Sequence, residues 1–295
     1  MSLKLENKFL CLDILEPGEK YRGSRFDWTG QIIQIIYKNK YTFCTTESLN
    51  NKFLNEKGRG LFNEFGIDHP LGYNECRLGD NFPKIGVGLL KRKSFEPYNF
   101  GENYSVSPYS FSYKVKENEV EFICRTNSND DYIFQLNKKI KLKKDYFFIE
   151  YELFNLGNKS IITNEYVHNF LSINYHLVDK CYKLILPFGI EPANFEESVN
   201  PKNVVEFFGN SITWNSIPTN QFFFGKLNTD YFGRGMWSLV NLDDKIGISE
   251  SVDFNIQKMN LWGTSHVICP EIFLGINILP KKNLRWVRKY TVFSI

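Results

Sequence analysis

Short runs in which aromatic and β-branched residues alternate with polar ones, broken at close intervals by turn clusters, constrain this chain most. Residues 146–154 read YFFIEYELF and stop at the turn cluster Asn155-Leu156-Gly157-Asn158-Lys159. A second such run, IITNEYVHNFLSIN, covers 161–174. A period of two sends successive side chains to opposite faces, which is the pattern of a strand and not of a helix. Glu119–Arg125 (EVEFICR) alternates in the same way, and β-rich runs recur at 182–187, 204–208, 212–214 and 221–227. Residues 236–240 and 246–249 flank Asn241-Leu242-Asp243-Asp244-Lys245, which predicts a hairpin. Residues 272–279 and 286–293 flank Pro280-Lys281-Lys282-Asn283, which predicts another. Strands at this spacing predict an all-β, large antiparallel β-sandwich. Helical periodicity is confined to one short candidate at 48–57. No Pro- or Gly/Ser-rich linker, fixed-period repeat or low-complexity tract divides the chain, so residues 1–295 read as a single domain.

The chain carries 27 Phe, 16 Tyr and 5 Trp, 16% of its residues. Rings suit pleated, half-buried surfaces, so most of them read as filling of the sandwich. The same rings also suit the lining of a sugar cleft, because sugar C–H faces pack on them.

Charge and cysteine usage narrow the function. Lys and Arg number 36 against 33 Asp and Glu, a net +3. That balance does not fit a protein that grips nucleic-acid phosphates. The basic run Lys138, Lys139, Lys141, Lys143, Lys144 alternates with Ile140 and Leu142 and reads as the solvent face of a strand. Six scattered cysteines form no C-x-x-C pair and suggest no zinc site; they read as reduced core thiols. The opening MSLKLENKFLCLDILEP is interrupted by charges and has no signal-peptide core, and no run of 18 apolar residues exists. A cytoplasmic protein with no membrane partner is therefore expected. H-E-x-x-H, G-x-S-x-G and the phosphate-binding G-x-x-x-x-G-K-[ST] are all absent. Only four histidines are available, at 69, 168, 176 and 266.

One carboxylate stands out. Glu271 lies in the apolar run VICPEIFLGI. A charge there is costly unless it faces a cleft or a partner. Alternation puts Ile272, Leu274 and Ile276 on one face and Glu271, Phe273 and Gly275 on the other. His168 sits between Tyr166 and Phe170 in the 161–174 run and reads either as a core histidine or as a site residue. His69 and His266 read as loop residues or as supports behind the site.

Two segments resemble the aldose 1-epimerase (galactose mutarotase-like) family. The first is NEYVHNFLSIN, with His168, Phe170 and Asn174 at the places of that family's His, aromatic stretch and Asn. The second is WGTSHVICPEIFLGINILPKKNLRWVRKYTVF. It carries the apolar strand with Glu271, then Ile276 to Pro280, Trp286 and a final aromatic strand. The segments YRGSRFDWTG and 60–72 look like an uncharacterised bacterial branch, and the substrate-binding Arg and second His of the better-known enzymes find no match. The resemblance implies a galactose mutarotase-like supersandwich. It also implies an isomerase that interconverts α and β anomers of an aldose by opening and reclosing the ring. Only protons move, so it implies neither metal nor organic cofactor. It makes Glu271 the base and His168 the acid, with the imidazole held protonated by the carboxylate.

Further candidates for sugar binding follow. In RGSRFDW, a strand reading puts Arg25 and Asp27 on one face, suited to adjacent hydroxyls, and Phe26 and Trp28 on the other. Lys84 and Glu64 are candidates for the cleft, and Trp262 for a stacking platform. The expected partner is a small-molecule sugar, a monosaccharide or a sugar phosphate. A non-catalytic cytoplasmic carbohydrate-binding protein, a hexose-phosphate mutarotase using Arg25, Lys84 or Lys258, and a polysaccharide lyase or hydrolase stay open beside the mutarotase.

Overall fold

A computed structural model describes residues 3–49, 56–127, 131–228 and 231–295. The described residues form 23 strands and three short 3-10 turns, with no α-helix among them. The helix expected over 48–57 falls largely on residues outside the described ones. No helix of the described residues is long and apolar enough to cross a membrane.

Two ten-stranded antiparallel sheets pack face to face, and a small three-stranded sheet covers part of one of them. In the first large sheet, Gly60–Phe65 pairs with Ile161–Phe170. Ile161–Phe170, the histidine strand, pairs on its other side with Val267–Ile278, the glutamate strand. Lys258–Thr264, Phe222–Gly225 and Glu197–Val199 then follow in order to the sheet edge. The second large sheet centres on Tyr146–Asn155, Asn283–Ser294 and Ile246–Asn255.

Alternation explains how these strands bury themselves. Tyr146–Asn155 is buried at every second residue, as a strand with one face in a core must be. The histidine strand is buried at nine of its ten positions because both its faces are covered. Inward, Val167, Ile272, Leu274 and Ile276 meet Leu136, Ile140, Ile149 and Leu153 of the second sheet. Outward, Phe62, Phe170 and Cys269 join Phe26, Phe82 and Tyr104 in a smaller apolar cluster. Alternation therefore delivers odd-numbered residues of the histidine strand to the inter-sheet core and even-numbered ones to the outer face.

Three local expectations are corrected. Residues 272–279 and 286–293 form no hairpin. The two strands lie in different large sheets, and the turn at 279–282 carries the chain across the sandwich. The hairpin around Asn241–Lys245 does form, between Arg234–Asn241 and Ile246–Asn255. In the basic run, Lys139 and Lys141 are half-exposed, but Lys138 is buried. It has the parity of Ile140 and Leu142, so it shares their inward face. Finally, YRGSRFDWTG is an irregular segment with no strand, so period two does not govern Arg25 and Asp27.

Candidate active site on the outer face of the first sheet

The outer face of the first sheet carries a cleft of about 710 Å³. Its floor comes from even-numbered residues of the histidine strand and odd-numbered residues of the glutamate strand. Tyr166 stacks on Phe273, ring centroids 4.4 Å apart. Two residues further on, His168 stacks on Phe170 at 4.0 Å, with Trp262 edge-on at 5.4 Å. Glu271 lies beside His168. The imidazole Nε2 is 3.2 Å from Glu271 Oε1, and both side chains are nearly closed off from solvent. Nδ1 is buried with no hydrogen-bond partner among the described residues. The contact with Glu271 is thus the ring's one polar anchor. His168 and Glu271 stand side by side on one face. At 3.2 Å no ring fits between them, so a ligand engaging both would lie over the pair.

Burial decides their protonation. The rings around His168 strip water from it, and the Arg25 charge adds to this. Together they hold its pKa well below the usual histidine value. Burial pushes Glu271 up to about 8, against the opposing charges of Arg25 and Lys258 and the hydrogen bond from Asn260. At neutral pH the favoured pair is an uncharged imidazole facing a protonated carboxyl. The expected arrangement, imidazolium facing carboxylate, is reversed, because each isolated charge would lose more hydration than its neighbours return.

Arg25 enters the cleft from the irregular 21–30 segment. Its Nε donates to Glu64 Oε2 at 2.7 Å and its Nη2 to the Tyr166 hydroxyl at 3.0 Å. Glu47 lies 3.4 Å from Nη1. The guanidinium carbon is 4.5 Å from the ring centroids of both Phe26 and Phe100. Glu64 is fully buried behind Arg25, where it also meets Lys84 at 3.2 Å and accepts the Tyr166 hydroxyl at 2.7 Å. Burial alone would raise its pKa, but Arg25 and Lys84 outweigh that and hold it down. Lys84 is buried too and donates to the Tyr98 hydroxyl at 3.0 Å.

Five predicted residues therefore converge: His168, Glu271, Arg25 and Trp262 line the cleft, with Glu64 directly behind. Lys84 does not line it and instead backs Glu64. Asp27 is corrected outright. It is fully buried away from the cleft, accepts from Thr29 and faces Lys138 at 3.4 Å. Trp28 likewise packs on Phe111 outside the cleft.

Lys258, which the sequence offered only as a phosphate-binding alternative, lines the cleft too, and sequence reasoning missed Asn260 and Phe223 altogether. Lys258 lies 2.6 Å from Asp68 and 4.4 Å above the Phe273 ring. Asn260 is the cross-strand partner of Glu271. That partner was findable. Thr264 pairs with Val267 around a two-residue turn, Ser265-His266, and counting back from it places 260 opposite 271. Phe223, paired with Trp262, comes from a strand whose neighbours no local pattern reveals.

No protein-family model matches the chain, and no curated protein matches it. Solved structures do. A galactose mutarotase-like protein from Lactobacillus casei superposes with a TM-score of 0.61 at 14% identity, covering 99% of this chain and 100% of that one. A galactose mutarotase-like protein from Clostridium acetobutylicum gives 0.59 at 14% identity, covering 99% and 95%. An aldose epimerase homologue from C. elegans gives 0.52 at 9% identity, covering 100% and 99%. At these identities the likeness is one of fold: the chain has the galactose mutarotase-like β-sandwich.

Proposed function

We propose that this chain is an aldose 1-epimerase-like isomerase that binds a sugar in the outer cleft and exchanges its anomers by acid/base ring opening. The observation that carries the reading is the His168–Glu271 pair, 3.2 Å apart on the floor of an aromatic-lined cleft. The anomeric hydroxyl oxygen and the ring oxygen hang on the same carbon, so donor and acceptor must stand side by side. A side-by-side pair meets that requirement. With Glu271 protonated and His168 neutral, Glu271 delivers the proton to the ring oxygen and His168 Nε2 takes the hydroxyl proton. These roles are the reverse of those the sequence resemblance implies. After bond rotation the ring closes on the other face and the protons return. Trp262 offers a platform for an apolar sugar face. Arg25 is held by Glu64 and Tyr166 as a fixed donor. We further place the protein in a reducing compartment, the cytoplasm, on its six free cysteines, five of them buried.

A sugar phosphate suits the cleft less well. Arg25 and Lys258, the two cations lining it among the described residues, already face Glu64, Glu47 and Asp68. A carbohydrate-binding protein without turnover is the second reading. It is favoured by the direct His168–Glu271 contact, in which the two polar groups face each other at 3.2 Å.

NMR exchange or polarimetry on a panel of aldoses tests the proposal. Wild type should speed anomer exchange over buffer. Glu271→Gln and His168→Ala should each lose roughly 10²–10⁴-fold while still binding sugar. Saturable binding with no acceleration by wild type would leave only the second reading.

A further inference from the structure

Beyond the His168–Glu271 pair the cleft continues across the sheet, and its floor sorts into two parallel rows. One row is polar. Glu271 pairs with Asn260, Gly225 lies beside Asn260, and Gly225 pairs with Glu197. The other row is apolar. Trp262 pairs with Phe223, and Phe223 with Val199. All of these residues line the cleft. Strands lie about 4.8 Å apart, so the polar row extends about 14 Å from Glu271 to Glu197. The reducing ring of a sugar sits at Glu271, and O1 to O4 of one pyranose covers about one strand spacing. The shelf is therefore longer than a monosaccharide.

Its chemistry fits a second sugar ring. Apolar side chains run along one side, for C–H faces to pack on, and Asn260 and Glu197 run along the other, for hydroxyls. Between them Gly225 contributes no side chain and leaves the shelf open. Glu197–Val199 is the last strand of the sheet, so the shelf runs out at an open edge and nothing in the sheet closes it. Glu47, Asp68, Glu196 and Glu197 make the lining more acidic than basic, which disfavours uronic acids and phosphates.

Resting on the proposed sugar reading, we infer that the cleft takes the reducing end of a neutral oligosaccharide. The terminal ring lies at His168 and Glu271 and the next ring on the Trp262–Phe223–Val199 shelf. The test measures binding by NMR titration and anomer exchange in parallel. Neutral reducing disaccharides (maltose, cellobiose, lactose) are compared with glucose, the monosaccharide at their reducing ends. The wild-type protein should bind at least one disaccharide tenfold or more tighter than glucose. Gly225→Val then blocks the shelf. The nearest atoms to a Cβ at this position, on Glu197 and Phe223, lie 3.5 Å away, at ordinary contact distance, and a cooperative unfolding transition in the variant checks that it folds. The variant should lose the disaccharide preference by tenfold or more. Equal or tighter binding of glucose by wild type overturns the inference and leaves the exchange reading standing. A disaccharide preference that survives Gly225→Val overturns the placement of the second ring. A disaccharide preference without anomer exchange upholds the shelf and sinks the catalytic reading. Failure to bind any of these sugars overturns both.

Discussion

His168 and Glu271 illustrate how burial, and not partner chemistry alone, sets the state of a pair. A carboxyl raised to about 8 by burial holds its proton in the folded chain across a range where the unfolded chain has lost it. The sign follows. Glu271 supports folding in full below its unfolded value near 4.5, and that support is lost as pH rises to about 8. His168 runs the other way. Its lowered pKa costs stability below the unfolded histidine value of 6.5 and nothing above it. Between pH 6.5 and 8, Glu271 therefore acts alone. We expect Glu271→Gln to gain stability relative to wild type across that window, by on the order of 2 kcal/mol, and the difference to level off above it. Urea unfolding at pH 6.5, 7.2 and 8.5 measures this. A constant difference would place the wild-type carboxyl in its ionised form throughout. None of this was legible in the sequence. The residue types suggested an ion pair, and only the rings packed around them reverse the sign.

The strand is the scale at which the sequence spoke most clearly. Period two placed Glu271 and Phe273 on one face and Ile272 and Leu274 on the other, as observed. It also divides the histidine strand. His168 and Tyr166 point to the cleft, while Glu165 and Asn169 point between the sheets. There Arg288 reaches Glu165 Oε2 and Glu250 Oε1, both at 2.7 Å, with all three side chains fully buried. Asn169 donates to the Pro270 carbonyl at 2.6 Å, tying the histidine strand to the glutamate strand directly beneath the pair. Removing one member of such a triad leaves uncompensated charge in a low-dielectric interior. Arg288→Met should cost about 3–5 kcal/mol in denaturant unfolding, and adding Glu165→Gln should recover part of it. Wild-type stability in the single variant would contradict this. Alternation failed where the chain is not a strand. Arg25 and Asp27 are two residues apart in an irregular segment. Backbone hydrogen bonds from Asp27 to Asn63 and from Trp28 to Gly86 fix its course, and so send one side chain to the cleft and the other inward. Pairing between distant strands was equally hidden, since a strand's own residues do not name its neighbours.

The two ends of the chain show what sheet order adds to strand content. The first strand, Leu3–Glu6, lies at the edge of its sheet and pairs only with Leu10–Ile14. The last, Asn283–Ser294, runs through the middle of the other, between Ile246–Asn255 and Tyr146–Asn155. It brings Trp286, stacked on Tyr151 at 4.9 Å, and Tyr290, stacked on Phe147 at 5.1 Å. It also brings Arg288 of the buried triad. One apolar cluster runs from Leu5 to Val292, and on that ground we propose that the chain folds as a single domain. If so, the two ends differ sharply in what they hold up. Deleting residues 1–7 removes one edge ladder and little core, so a cooperative thermal transition should persist with a modestly lower midpoint. Deleting residues 283–295 splits the second sheet in two and strands Glu165 and Glu250 without their cation. That variant should show no cooperative transition by circular dichroism and should lose the cleft with it. Residues 60–65, 161–170, 222–225, 258–264 and 267–278, which build the cleft, all stand on the sheet that the second one supports. A cooperative transition in the C-terminal deletion would mean that the first sheet folds without its partner, and the single-domain reading would fall.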